Sequence, residues 1–151
     1  MTIGRAAFAL CLACIAASLP VHAEATAPLA GRWMTFDDDT GARRAVVLVS
    51  VDGRRATGRI VEVVPQPGEP ADPDCTACRG SLRGRKIRGL DILRLDLAED
   101  GRAGEGTVLD PEEGREYRCT ARLAGDGKRL ALRGYVGLPL FGRDATWARE
   151  P

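Results

Sequence analysis

The sequence predicts an all-β fold, a single up-and-down antiparallel β-barrel of about eight strands. Three observations carry this. The pairs Asp52-Gly53, Asp100-Gly101, Glu113-Gly114 and Asp126-Gly127 each separate two runs of strand character, because glycine reaches the positive φ of a tight hairpin at little cost. Within those runs apolar and polar residues alternate with a period of two. No stretch after residue 23 shows the 3.6-residue period of an amphipathic helix. Closing such a meander on itself removes the exposed edges that an open sheet must protect.

The elements follow in order. Gly31–Phe36 is a short first strand. Arg43–Asp52 is the second, its segment Val46–Val51 apolar on both faces apart from Ser50. Ala56–Val64 is the third. Pro65–Gly80 then breaks the rhythm with Pro65, Pro67, Pro70, Pro73 and two cysteines, which reads as a long ordered loop or a lid. Gly89–Ala98 sets Leu93, Leu95 and Leu97 on one face and Ile92, Arg94 and Asp96 on the other. Gly106–Leu109 is a brief fifth strand. Arg115–Leu123 alternates most strictly, with Tyr117, Cys119, Ala121 and Leu123 opposed to Glu116, Arg118, Thr120 and Arg122. Arg129–Val136 offers Leu130, Leu132, Gly134 and Val136 on one side, and Asp144–Arg149 completes the set.

Ahead of these strands, residues 1–23 read as a secretory signal peptide: a short start carrying Arg5, an apolar run Ala6–Leu19, and small residues at Val21 and Ala23 before the cut. A second reading, a lipid anchor at Cys14, meets Cys11 where a lipobox wants an aliphatic residue. Cleavage after Ala23 leaves one domain, residues 24–151, in the periplasm or secreted. No later apolar run approaches the roughly 20 residues of a membrane-spanning helix.

Removing the leader takes Arg5, His22, Cys11 and Cys14, so 21 basic groups face 21 acidic ones and no histidine is left. Balanced charge gives no general attraction to nucleic acid. The 20 arginines against two lysines of the full chain read as coding bias. Without histidine, Ser-His-Asp and Cys-His mechanisms and imidazole-held zinc are excluded. Asp37 and Asp38 are available carboxylates, yet no spacing places an acid and a base together. The chain is therefore read as a non-enzyme, with no catalytic residue, cofactor or metal ligand. Asp37–Gly41 and Asp110–Gly114 lack the alternating oxygen ligands of a calcium loop and read as polar turns.

Cys75-Thr76-Ala77-Cys78 has the spacing of half a zinc ribbon or of a redox dithiol, and in an oxidising compartment the simpler reading is a structural disulfide. Three cysteines allow three pairings. Chain entropy gives roughly 2 kcal/mol for a Cys75–Cys78 link and roughly 4 for a link from either to Cys119. Cys119 lies on the inward face of its strand, where a thiol behaves as a small hydrophobe, so Cys75–Cys78 with Cys119 reduced is the expectation.

Gly31-Arg32-Trp33 on the first strand and Trp147-Ala148-Arg149 on the last resemble the calycin arrangement of lipocalins and fatty-acid-binding proteins. A wider series resembles the bacterial domain-of-unknown-function family 2147. It comprises Asp37–Gly41, Cys75-x-x-Cys78-x-Gly80, Gly89-Leu90, Asp110-Pro111 with Gly114 and Tyr117, Arg133-Gly134-Tyr135, Phe141-Gly142-Arg143 and Trp147-x-Arg149. The resemblance implies a small exported protein with a lipocalin-like barrel, Trp33 and Arg149 closing one end by stacking of guanidinium on indole. It also implies a small hydrophobic or amphipathic ligand.

An eight-stranded barrel either fills its interior or holds one small ligand, which requires roughly 300 Å³ or more. For a ligand, Phe36, Tyr117, Tyr135 and Phe141 are the candidate lining aromatics, and Arg133 and Arg143 the candidate partners of an acidic headgroup. Gly137–Arg143, apolar where a polar connection is expected, is either a plug or the rim of an entrance. The alternative is a filled barrel serving as a structural or interaction module of the cell envelope. Its working surface would be the cysteine loop and the basic run Arg79, Arg83, Arg85, Lys86 and Arg88.

Overall fold

The period-two runs become eight strands: β1 (Gly31–Phe36), β2 (Arg43–Asp52), β3 (Arg55–Val63), β4 (Asp91–Leu97), β5 (Ala103–Asp110), β6 (Arg115–Leu123), β7 (Arg129–Tyr135) and β8 (Arg143–Arg149). The structure is a computed structural model that describes residues 28–151. The expected leader, with Cys11, Cys14 and His22, lies outside the described residues. Each strand pairs antiparallel with the next, and β8 returns to β1 through Trp33 opposite Arg149 and Met34 opposite Ala148, so the barrel is closed.

The register shows which side chains point inward. Trp33 faces Val47, Val47 faces Ile60, Ala56 faces Leu95, Cys119 faces Gly134 and Leu130 faces Trp147. These positions are buried or glycine, while the outer face carries ion pairs such as Arg59–Asp91 at 2.6 Å and Arg94–Glu116 at 3.7 Å. Apolar within and charged without is the inverse of a membrane-spanning barrel. Among the described residues no helix is long and apolar enough to cross a membrane. Burial pushes the Cys119 thiol up to about 11, which keeps it protonated and unreactive.

Most strand ends match the sequence within a residue or two, but β5 is twice the length expected from Gly106–Leu109. Gly104 and Gly106 carry no side chain and so leave no alternation to read. They are strand residues because β4 crosses too close for a Cβ: one added at Gly106 would overlap the Arg94 carbonyl.

The two ends differ. At one, the connections are short: Gly53-Arg54, Ala98–Arg102 and Ala124–Lys128. Here three arginines lace each hairpin to its neighbour, Arg54 Nε donating to the Leu97 carbonyl (3.0 Å), Arg102 Nη2 to that of Ala124 (2.7 Å) and Arg149 Nε to that of Gly127 (2.7 Å). Arg149 also donates to the Ala30 and Pro28 carbonyls (2.8 and 2.6 Å), and its guanidinium lies 4.3 Å from the centre of the Trp33 ring. Trp33 Nε1 donates to the Leu29 carbonyl at 3.0 Å, and both residues are 0% exposed. The segment Pro28–Ala30 thus crosses this end with Leu29 as its stopper. Gly31 has a φ of 133°, and a Cβ there would stand 2.6 Å from Arg149 Nη1, so only glycine admits the guanidinium.

Candidate functional site

The opposite end of the barrel is open. Inward-facing residues near the ends of β3, β5, β7 and β8 leave a cavity of about 770 Å³, walled by Ile60, Val63, Val108, Leu132, Ala145 and Trp147. Small residues leave room there: Gly134 and Ala145 stand at inward positions of β7 and β8. The half toward the stopper is filled by Val47, Val49, Leu93, Leu95, Leu97 and Leu130.

The rim is polar. Tyr117 donates its hydroxyl to Glu113, which holds the phenol above its ordinary pKa, and Arg115 lies 5.4 Å from the same ring. Arg143 Nη1 stands 3.6 Å from Glu113, and its side chain is 83% exposed, so this pair is screened and weak. Across the mouth, Arg44 bonds Glu112 and Glu69, the latter at 3.0 Å. The Gln66 amide and then Arg44 hold the Glu69 carboxyl below its usual range. Sequence reading missed Arg44, Glu69 and Glu112, since nothing local links residues 25 and 68 positions apart.

Between β3 and β4 the long connection is a structured flap. Asp74 bridges to Lys86, the Cys75 amide donates to the Arg85 carbonyl, and that of Ile87 to Pro73. Cys75 and Cys78 are joined as a disulfide, with Cα atoms 5.3 Å apart, and both are buried in one cluster with Leu90, Ile92 and Leu109. The flap presses on the β5–β6 turn, where a Cβ at Gly114 would overlap the Ala77 carbonyl; Gly114 also has a φ of 65°. Within the basic run, Lys86 pairs with Asp74 (2.8 Å) and Arg88 with Asp72 (3.5 Å), while Arg79, Arg83 and Arg85 are exposed.

Of the residues expected at a ligand site, the structure brings Phe36, Tyr117, Tyr135, Phe141 and Arg143 to the mouth. Tyr135 borders it from the outer side, opposite Arg118 in the register and 5.9 Å from its guanidinium. Arg133 is placed elsewhere. It points to the outer face, pairs with Asp144 at 2.7 Å and donates to the Pro139 and Leu140 carbonyls, clamping the β7–β8 connection. That connection stands at the rim as a 3-10 turn, Pro139–Phe141. Asp37 is spent on its own turn, accepting from the Thr40 hydroxyl and amide (both 2.7 Å), with the carboxyl held low mainly by that hydroxyl. Asp110 caps the β5–β6 turn likewise.

Residues 31–149, all eight strands, match the model of the family described as "Uncharacterized protein conserved in bacteria (DUF2147)". The chain belongs to this family. The barrel is also similar to a solved structure, protein HP1028 from the human pathogen Helicobacter pylori, described as belonging to the lipocalin family. The TM-score is 0.67 at 17% identity, covering 82% of this chain and 83% of that one, so this chain and that neighbour share the lipocalin-like barrel. No curated protein matches the chain.

Proposed function

We propose that this member of the family is an exported, non-enzymatic carrier that takes a small amphipathic molecule into its open end, apolar part first. The observation that carries this is the open cavity of about 770 Å³, apolar on its inner wall and polar at its rim, within the range of small-molecule sites. Arg143, loosely held by Glu113, is the group best placed to exchange its partner for a carboxylate or phosphate headgroup, with Tyr117 beside it. Phe36, Tyr135 and Phe141 border the path inward. Export is supported by the leader-like first 23 residues and by the Cys75–Cys78 disulfide, which persists in oxidising compartments.

The test is displacement of a fluorescent fatty-acid probe, together with native mass spectrometry of protein purified from its own host. Binding in a one-to-one ratio, reduced about tenfold or more by Ala145→Phe with the fold unchanged, supports the carrier. Wild-type protein of clean apo mass that takes up no probe overturns it. A second reading, an interaction module of the envelope, is favoured by the exposed Arg79, Arg83 and Arg85 beside the flap. Loss of envelope partners in a pull-down when Arg83, Arg85 and Lys86 are neutralised would favour it.

A further inference from the structure

The Cys75–Cys78 disulfide lies within the single connection between β3 and β4, with a sequence separation of 3, so it ties no two strands together. What it shapes is a seat. The Ala77–Cys78 peptide lies against the β5–β6 turn so closely that a Cβ at Gly114 would stand 2.6 Å from the Cys78 nitrogen. The Cys75 sulfur is 3.2 Å from the Pro111 carbonyl oxygen in the same turn. That turn carries two acids of the mouth: Glu112, bonded to Arg44, and Glu113, which accepts from Tyr117 and stands 3.6 Å from Arg143. Disulfide, turn and rim are joined by direct contacts.

We propose that this disulfide is a redox-responsive clasp on the mouth: reduced by a dithiol, it releases its seat against the β5–β6 turn and loosens the rim that Glu112 and Glu113 hold. Three features set it apart from a staple of the fold. The rest of the flap is held without it, by the Cys75 amide on Arg85, the Gly84 amide on Cys75, the Ile87 amide on Pro73 and the Asp74–Lys86 pair, while the barrel closes through its own strand pairings. The reduced state has an acceptor in place, because a Cys75 thiol would find the Pro111 carbonyl within donating distance, whereas a disulfide has no proton to offer it. From Cys75 to Arg88 the flap has no acid, and Arg79, Arg83 and Arg85 stand exposed on it; cationic surroundings favour the thiolate through which exchange proceeds. Cys75 and Cys78 are 0% and 2% exposed, so exchange passes through partial opening of the flap, where Thr76 and Ala77 already face solvent. The step balances: the dithiol gives two electrons and two protons, the S–S bond breaks to two thiols, and the reductant closes to its own disulfide. Cys119, buried and protonated, takes no part. The clasp goes beyond the carrier reading and stands whether or not the cavity holds a guest.

Hydrogen exchange on the full folded protein, oxidised and then treated with dithiothreitol, tests it. The amides of Glu112, Glu113 and Gly114, which Asp110 holds, should exchange about tenfold or more faster after reduction, with β6 and β7 unchanged and protection restored on reoxidation. Cys75→Ser with Cys78→Ser should match the reduced wild type and ignore dithiothreitol. Equal exchange of the turn in both states overturns the proposal, as does a disulfide that dithiothreitol leaves intact in the folded protein. Loss of strand circular dichroism on reduction also overturns it, since the bond would then staple the fold. A response to dithiothreitol that persists in the double variant assigns the effect to Cys119 and does the same. Release of a bound fluorescent fatty-acid probe should be about tenfold faster from the reduced form, and equal release in both states overturns the control of the rim. Oxidised protein that takes up no probe refutes the carrier alone and leaves the exchange difference to decide the clasp.

Discussion

Arg149 ties the segment ahead of β1 and the β6–β7 turn to the last strand with one planar group. Its guanidinium donates to the Pro28, Ala30 and Gly127 carbonyls and covers the Trp33 ring, satisfying acceptors that no strand neighbour reaches. Arg149→Ala should therefore lower stability by about 2–4 kcal/mol in chemical denaturation, and Arg149→Lys should recover little, because an ammonium cannot reproduce the fork or the stacking. Gly106 acts through the space it leaves. Gly106→Ala drives a methyl into the Arg94 carbonyl and should cost about 3 kcal/mol or more, whereas Gly134→Ala, whose nearest neighbour would be 3.7 Å away, should be neutral or slightly stabilising. Equal losses in the two variants would refute this account of the strand crossing. The contrast between Arg133 and Arg143 also belongs to this scale. Both are arginines near the same turn, but Leu130, Leu132 and Gly134 face inward, so parity alone sends Arg133 out, while Trp147 and Ala145 send Arg143 in. That signal was present in the sequence.

At the level of elements, strands were more legible than what lies between them. Alternation in β6, β4 and β7 marks both their existence and their inward faces, since one wet and one packed side impose a period of two. β5 was only half legible because its glycines answer to the approach of β4, a tertiary fact. The flap left less trace. Its order rests on the Cys75–Cys78 link, the Asp74–Lys86 bridge and contact with the β5–β6 turn, none of which leaves a periodic mark. The lacing of the closed end by Arg54, Arg102 and Arg149 was illegible for the same reason, although Arg149 was singled out by its resemblance to calycins. The flap has a pH dependence of known sign. Glu69 is held below its ordinary pKa by the Gln66 amide and Arg44, so its contribution is whole above the unfolded value and fades as pH falls through the lower folded one. Hydrogen exchange at the Gln66 amide should accelerate relative to other flap amides on acidification below about pH 4.5, and Glu69→Gln should abolish that relative change. A profile unaltered by Glu69→Gln would remove Glu69 from this role.

For the molecule as a whole, closure depends on its shortest pairing. β5 and β6 are matched from Ala103–Arg122 to Asp110–Arg115, but β1 and β8 are matched only at Trp33–Arg149 and Met34–Ala148, extended by the Glu150 amide donating to Arg32. Amides of the β1–β8 seam should thus exchange before those of β5 and β6, and uniform protection around the ring would show that the barrel opens only globally. The fold class was legible because it depends on pattern summed over the chain; the cavity was not, because its volume depends on which inward positions hold small residues at the same height on different strands.

The Leu29 stopper has a consequence for traffic. A barrel sealed at one end is a bottle and not a pipe: whatever goes in comes out by the way it entered, and it keeps the same end foremost throughout its stay. For the proposed carrier, loading and unloading would then be one path run in two directions, with the neck beside Arg143 and Glu113 the one passage a guest would have to cross.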